Sequence, residues 1–469
     1  MYYRLDFTRR IQMNKKRIVL LCLCFTLFLL AGCQKDPSSP QQASSGDKSG
    51  QQAPPDDLAN HGVLAIMETE NGYYYNYGYA DLISGTNYHG SRNTLKHLLR
   101  YYDKATQETI LLCSKPECEH QGDDTCVATY KNLCIINSLL YDGQLYIYGL
   151  EKDQRILRLN LYRAALDGSS IDKVGTVLEV ENTIGEGYSA QTENLFYAYD
   201  ETFIIHKGYA YLPYYLRIGA ASKGFMGGGL VQMDLRTGKT KTIYEMEYLN
   251  SYFPYNLKGC GDYIYMDLNG TKRYVISEDR LEYPPALQEE RDKPLFDVVT
   301  ENRLYEISTT YNEETEEYGV PIFISVYDAA TGAAIPEEAF ETDLTQEEFD
   351  FGIPIHRALP YEDMLVIAAG SRVIFYDVEG DNYGTKLAEI AFEYNEIATT
   401  HLYTSKPVDI KISHDKLYLI CNPTDYNSYL DSNPVRTGQF RLYQVYSCPV
   451  EDILKGQGSW EKAFEFQVK

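Results

Sequence analysis

The residues best equipped for chemistry sit in one short stretch, Cys113-Ser114-Lys115-Pro116-Glu117-Cys118-Glu119-His120, followed by Cys126 and Cys134. Three chemistries suit this C-x4-C-x-H-x5-C spacing. Cys113 with Cys118, or Cys126 with Cys134, can close a disulfide that staples a loop in an exported protein. Cys113, Cys118, His120 and Cys126 can instead supply three thiolates and an imidazole. That donor set suits tetrahedral zinc, although the C-x-H step is tighter than the common C-x2-4-C. Free thiols in an anaerobic setting are the third state. Seven cysteines follow Cys33, so disulfides alone leave at least one thiol over. Cys260, Cys421 and Cys448 lie in strand-like runs, where cysteine serves as a small core residue.

Elsewhere the sequence offers little catalytic machinery. It has no G-x-S-x-G elbow, no H-E-x-x-H helix and no Walker-type phosphate loop. Gly185-Glu186-Gly187-Tyr188-Ser189-Ala190 matches a dinucleotide loop in letters only, with no strand pattern before it and no helix pattern after it. Of the eight histidines, only His120 has suggestive neighbours; His89, His97 and His206 read as surface or core residues. Carboxylates are abundant, and two of them across a cleft can hydrolyse a glycosidic bond. Runs such as Glu313-Glu314-Thr315-Glu316-Glu317 read as solvated loops.

The N-terminal third of a hundred residues fixes the expected location. Lys15, Lys16 and Arg17 form a basic region, and Ile18 to Leu30 is an apolar run. That run fits an export signal and falls short of the roughly 20 residues a spanning helix needs. Met13 reads as the true start, giving Met-Asn-Lys-Lys-Arg before the apolar run. Leu30-Ala31-Gly32-Cys33 then resembles the lipobox of bacterial lipoproteins. The resemblance implies that residues 1–32 are a signal peptide and that Cys33 carries a diacylglycerol and becomes the new N-terminus. The chain is thereby expected at the outer face of the cytoplasmic membrane, anchored through Cys33. From Gln34 to Asp57 the chain is mostly Gln, Ser, Pro, Gly, Asp and Lys, too polar to offset its ordering entropy. Residues 33–57 therefore read as the lipidated cysteine and a flexible linker.

Residues 58–469 form the domain that this anchor carries. The whole chain has a net charge of −24, and the first 32 residues are basic, so the domain is more acidic still. Such a domain repels the phosphates of nucleic acid, which excludes a nucleic-acid partner. Tyrosine dominates, with 44 copies against one tryptophan, Trp460. Tyr favours strands whose ring packs while its hydroxyl finds a polar partner.

Two patterns alternate along the domain. The first is a turn feeding alternating aliphatic and Tyr residues. It recurs at Asn71-Gly72-Tyr73, Asp142-Gly143-Gln144, Lys207-Gly208-Tyr209, Gly261-Asp262-Tyr263, Asn302-Arg303-Leu304, Glu362-Asp363-Met364 and His414-Asp415-Lys416. The second is a strand ending near an Asp, Thr or Gly turn, as at Tyr102-Asp103, Tyr162-Arg163, Met233-Asp234, Tyr327-Asp328, Tyr376-Asp377 and Leu442-Tyr443. A degenerate copy falls at Arg273-Tyr274-Val275-Ile276. Repeats of about 41 to 72 residues built from short strands predict an all-β fold, a β-propeller. Seven blades fit best, with six or eight as alternatives. Two stacked sandwiches would explain the strands but not the repeated order. Ring closure is expected to pair Val63-Leu64-Ala65-Ile66 with the blade holding Phe464-Glu465-Phe466.

Lipobox and repeats together resemble the propeller lipoproteins of Gram-positive bacteria, of the TolB-like and DUF5050-like kind. The Cys cluster also resembles one found in that group. The resemblance implies a fold and a location more than a chemistry. The expected function is a membrane-anchored, extracellular binding module, monomeric, without catalysis, taking a glycan, peptide or protein at the propeller mouth. Two alternatives stand beside it. One is a carbohydrate-active hydrolase or lyase on the same ring. The other is a structural metal or redox role for Cys113, Cys118, His120, Cys126 and Cys134, with zinc as the metal.

Overall fold

A computed structural model describes residues 66–77, 98–120, 126–153, 156–181, 195–197, 203–218, 225–246, 254–288, 294–312, 317–345, 357–369, 372–392, 407–421 and 441–468. The signal peptide, Cys33, the linker, His89, His97, the Gly185–Ala190 loop and residues 313–316 lie outside the described residues. No helix among the described residues is long and apolar enough to cross a membrane.

The chain folds as a seven-bladed β-propeller, each blade a sheet of consecutive antiparallel strands. Blade 1 comprises Ile66–Glu68, Gly72–Tyr77, Leu98–Asp103 and Glu108–Leu111. Blade 2 comprises Cys134–Tyr141, Gln144–Asp153, Ile156–Ala164 and Ile171–Glu181. Blade 3 comprises Ile204–His206, Tyr209–Ile218, Phe225–Asp234 and Thr240–Glu245, with Leu195–Tyr197 added against its second strand. Blade 4 comprises Tyr255–Cys260, Tyr263–Asp267, Thr271–Val275 and Arg280–Glu282. Blade 5 comprises Val298–Val299, Arg303–Asn312, Glu317–Asp328 and Phe340–Glu341. Blade 6 comprises Arg357–Tyr361, Met364–Ala369, Arg372–Asp377 and Lys386–Ala391. Blade 7 comprises Pro407–Ser413, Lys416–Cys421, Arg441–Pro449 and Glu461–Val468. First strands lie side by side between blades 1 and 2 and from blade 3 round to blade 7.

The seven copies of the first sequence pattern are the turns between first and second strands. Asp142-Gly143, Lys207-Gly208 and His414-Asp415 each place two successive residues at positive φ. That geometry defines the type I′ hairpin, whose twist matches the flanking strands. The second pattern marks the turn from third to fourth strand. There the Asp103 carboxylate accepts the Ala105 and Thr106 amides, and Asp234 accepts those of Arg236 and Thr237. Asp328 and Asp377 repeat the device with Thr331 and Glu379. The degenerate copy at Arg273 to Ile276 is the third strand of blade 4 and the residue after it.

Period-2 alternation assigns each strand face to a different neighbour. Leu145 and Ile147 pack toward blade 1, while Tyr146 and Tyr148 pack toward blade 3. The apolar clusters thus lie between blades. Tyrosine suits this place because its ring fills the gap and its hydroxyl reaches the next blade's backbone. Tyr74 donates to the Leu166 carbonyl at 2.8 Å, Tyr148 to Pro213 at 3.0 Å and Tyr265 to Ala329 at 2.8 Å.

Of the expected closing segment, Val63, Leu64 and Ala65 lie outside the described residues and only Ile66 is described. Ile66 pairs with Tyr75 inside blade 1, and Phe464 pairs with Val445 inside blade 7, so among the described residues no strand passes between these two blades. Each blade completes its own four strands, which leaves the seam to side chains. Phe464 stacks on Tyr73 with centroids 4.5 Å apart and on Tyr102 at 5.2 Å. Glu68 sits at the same seam, with Lys104 Nζ at 2.8 Å and His414 Nδ1 of blade 7 at 3.6 Å. Burial, reinforced by Glu68, pushes the Tyr418 hydroxyl there well above its ordinary pKa.

Candidate metal centre and buried charge cluster

Blade 1 ends at Leu111, and the connection to blade 2 carries the cysteine cluster. The segment docks on the hairpin turn of blade 2: Ser114 N donates to Gly168 O at 3.3 Å. A Cβ on Gly168 would come within 2.9 Å of the Cys113 backbone, and its φ of 69° also favours glycine. Cys118 N donates to Lys115 O at 3.2 Å, a turn that folds Cys118 back toward Cys113. His120 takes a φ of 52°, which reverses the chain again. Cys126 caps a short 3-10 segment, Val127–Asn132, and is fully buried.

These bends bring Cys113, Cys118, His120 and Cys126 together, with all four donor atoms within 4.8 Å of one another. His120 Nδ1 lies 3.2 Å from Cys126 Sγ. Cys113 and Cys118 are half-buried, and no disulfide joins Cys113, Cys118 or Cys126. Burial raises the Cys126 thiol, but bonding from Thr129, His120 and Cys118 outweighs it and brings it down to about 7. Burial pushes the Cys113 thiol up to about 11, with Cys118 and Cys126 adding to the effect. Cys134 opens the first strand of blade 2, and its side chain lies outside the described residues. The structure therefore unites four of the five residues that the spacing singled out.

Of the remaining sequence candidates, Cys260, Cys448 and His206 serve packing, and the side chain of Cys421 lies outside the described residues. Cys260 and Cys448 are buried core residues. His206 is buried and its Nε2 bonds the Gly261 carbonyl of the blade 4 turn at 2.8 Å. Gly259 makes room for that ring, since a Cβ there would lie 2.9 Å from it.

Sequence reasoning missed a second cluster, between blades 4 and 5. Asp267 ends the second strand of blade 4 and is buried. Asn256 Nδ2 donates to it at 2.9 Å and Thr271 Oγ1 at 3.2 Å. Lys258 Nζ donates to the Phe296 carbonyl at 2.6 Å, and Asp297 accepts the Ile307 amide at 2.7 Å. Burial raises both carboxyls and Lys258 partly offsets it; Asp297 is carried up to about 6. The signal that could have found Asp267 is its register: Tyr263 and Tyr265 face blade 5, so an acid two residues on faces the same way.

Comparison of the sequence with protein-family models finds no match, and comparison with curated proteins finds none. Among solved structures, the chain is similar to the β-propeller domain of the Trilobed protease from Pyrococcus furiosus, reported with an open velcro topology. Identity is 10%, coverage is 88% of this chain and 96% of that one, and the TM-score is 0.36. A structure of prolyl endopeptidases gives 8% identity over 86% of this chain and 49% of that one, with a TM-score of 0.42. The WD40 domain of SCAP from fission yeast gives 8%, 87% and 88%, with a TM-score of 0.31. Likeness this distant carries no functional inference. Fold and site together define a class: a seven-bladed β-propeller with a Cys/Cys/His/Cys group between its first two blades.

Proposed function

We propose that this chain is a membrane-anchored extracytoplasmic lipoprotein, tethered through Cys33. Its propeller is a binding module for a glycan, peptide or protein, and its Cys113/Cys118/His120/Cys126 loop holds a structural zinc. The resemblance to TolB-like and DUF5050-like propeller lipoproteins supports the location. The observation that carries the zinc reading is the convergence of four donors on one point. A tetrahedron with Zn–S bonds of about 2.3 Å has edges of about 3.8 Å, so donors within 4.8 Å close on an ion by side-chain rotation. Four protein donors leave no open position, which is the signature of structural zinc. Zinc there would tie the segment after blade 1 to the entry of blade 2 and supply folding energy.

The binding reading draws on how the described polar groups are spent. Tyr74, Tyr148, Tyr265 and His206 all bond the backbone of a neighbouring blade and so serve the scaffold, and loops carried on a rigid scaffold are where recognition is commonly placed. Metabolic labelling with an alkyne fatty acid tests the anchor: the wild-type chain takes label in the membrane fraction, and Cys33→Ser takes none. Saturable binding of the full chain to an array of surface glycans and peptides supports the module reading.

A second reading, glycan hydrolysis, has one observation in its favour. Two carboxylates lie near each other between blades 4 and 5, Asp267 buried and Asp297 half-buried, and burial carries Asp297 up to about 6. Turnover of an arrayed glycan, lost in Asp297→Asn, would favour it over simple binding.

A further inference from the structure

Resting on the zinc reading above, we propose that the site is redox-gated: a hydroperoxide converts Cys113 and Cys118 to a disulfide, and the metal is released. The three thiols are unequal in access. Cys126 is fully buried at the start of its 3-10 segment, whereas Cys113 and Cys118 are half-buried. With zinc bound all three sulfurs are thiolates, so access decides, and an oxidant from solvent reaches the latter pair first. The same pair is the easiest to join. Only four residues separate them, and the Cys118 N to Lys115 O bond already folds that loop. Their sulfurs lie within the 4.8 Å limit of the donor group, so joining them needs no movement of a blade.

The chemistry balances. One thiolate of the pair takes an oxygen from the hydroperoxide ROOH, and with one proton the products are a sulfenic acid and ROH. The second thiolate displaces that hydroxyl, which leaves as water with another proton, and an S–S bond forms. The pair has lost two electrons and the hydroperoxide has gained them. His120 and Cys126 alone remain as donors, too few for a closed tetrahedral site. A dithiol reductant reverses the step and restores all four donors. The disulfide, the zinc site and the thiols allowed by the spacing thus become successive states of one loop.

The test uses the full chain in detergent, reduced and loaded with zinc, then treated with hydrogen peroxide. Zinc release is read with a chromogenic chelator, thiols by titration, and linkages by peptide mass mapping. The expected result is two thiols lost per zinc released, a Cys113–Cys118 linked peptide, and recovery of both with dithiothreitol and zinc. Cys126→Ser should keep the linked peptide while losing the zinc. Zinc retained under peroxide, or a linkage through Cys126, overturns the proposal and leaves the zinc reading intact. A reduced chain that takes up no zinc overturns the zinc reading and the gating together, while the peptide map still reports on the crosslink.

Discussion

Phe464 of the last blade stacks on Tyr73 of the first at 4.5 Å, a contact across the seam where no strand is shared among the described residues. Hydrogen-bonded closure would spread the load over a backbone ladder. At the seam that ring is surrounded by Tyr73, Tyr75 and Tyr102, while Glu68 faces His414 and Tyr73 meets Tyr418 beside it. Phe464→Ala should cost about 3–5 kcal/mol, and Phe464→Leu less, by the cavity argument. Thermal unfolding checks this; an unchanged midpoint for Phe464→Ala would mean that the seam is held elsewhere.

Tyr148 tests whether the tyrosine hydroxyls matter as well as their rings. Its hydroxyl bonds the Pro213 carbonyl, and both lie in the blade 2–blade 3 interface. Tyr148→Phe keeps the ring and leaves that carbonyl without this donor, so a loss of about 1–3 kcal/mol is expected in urea unfolding.

Arg273 locks blade 4 to blade 5. Its guanidinium pairs with Glu282 at 2.9 Å, both side chains under a tenth exposed, and bonds the Ala329 and Ala330 carbonyls. Removing Arg273 leaves the largely buried Glu282 with Arg280 alone among the described residues, at 2.5 Å, and two carbonyls without this donor, so Arg273→Met should lose about 3–5 kcal/mol. The double change Arg273→Met with Glu282→Leu should recover part of that loss. Equal destabilisation of single and double variants would contradict the account.

Asp297 gives the protein a signed pH dependence. Burial raises its folded pKa to about 6, above the ordinary 3.8. Between those values the folded state holds a proton that the unfolded state has lost, so stability falls as pH rises from about 4 to 6. Asp297→Asn should flatten that part of the profile. Melting temperatures across this range check it; a wild-type profile that rises there would reverse the assignment.

The blades were legible because their turns impose chemistry on the sequence. Asp142-Gly143 must supply positive φ, and the carboxylates of Asp103, Asp234 and Asp328 must accept turn amides, so these residues recur. The closure was not legible. Phe464 and Tyr73 are ordinary strand residues, and nothing in their spacing says that they meet. The metal donors were legible because cysteine and histidine are scarce. Asp267 and Asp297 were hidden among 67 acidic residues, with only register to mark them.

The most direct test of the account is zinc content in the full chain purified in detergent without reductant, measured by mass spectrometry alongside a thiol count. The account predicts one zinc per chain in the reduced protein, lost in Cys118→Ser together with part of the thermal stability. A fully reduced chain with no zinc, and a Cys118→Ser variant that melts like the wild type, would contradict it.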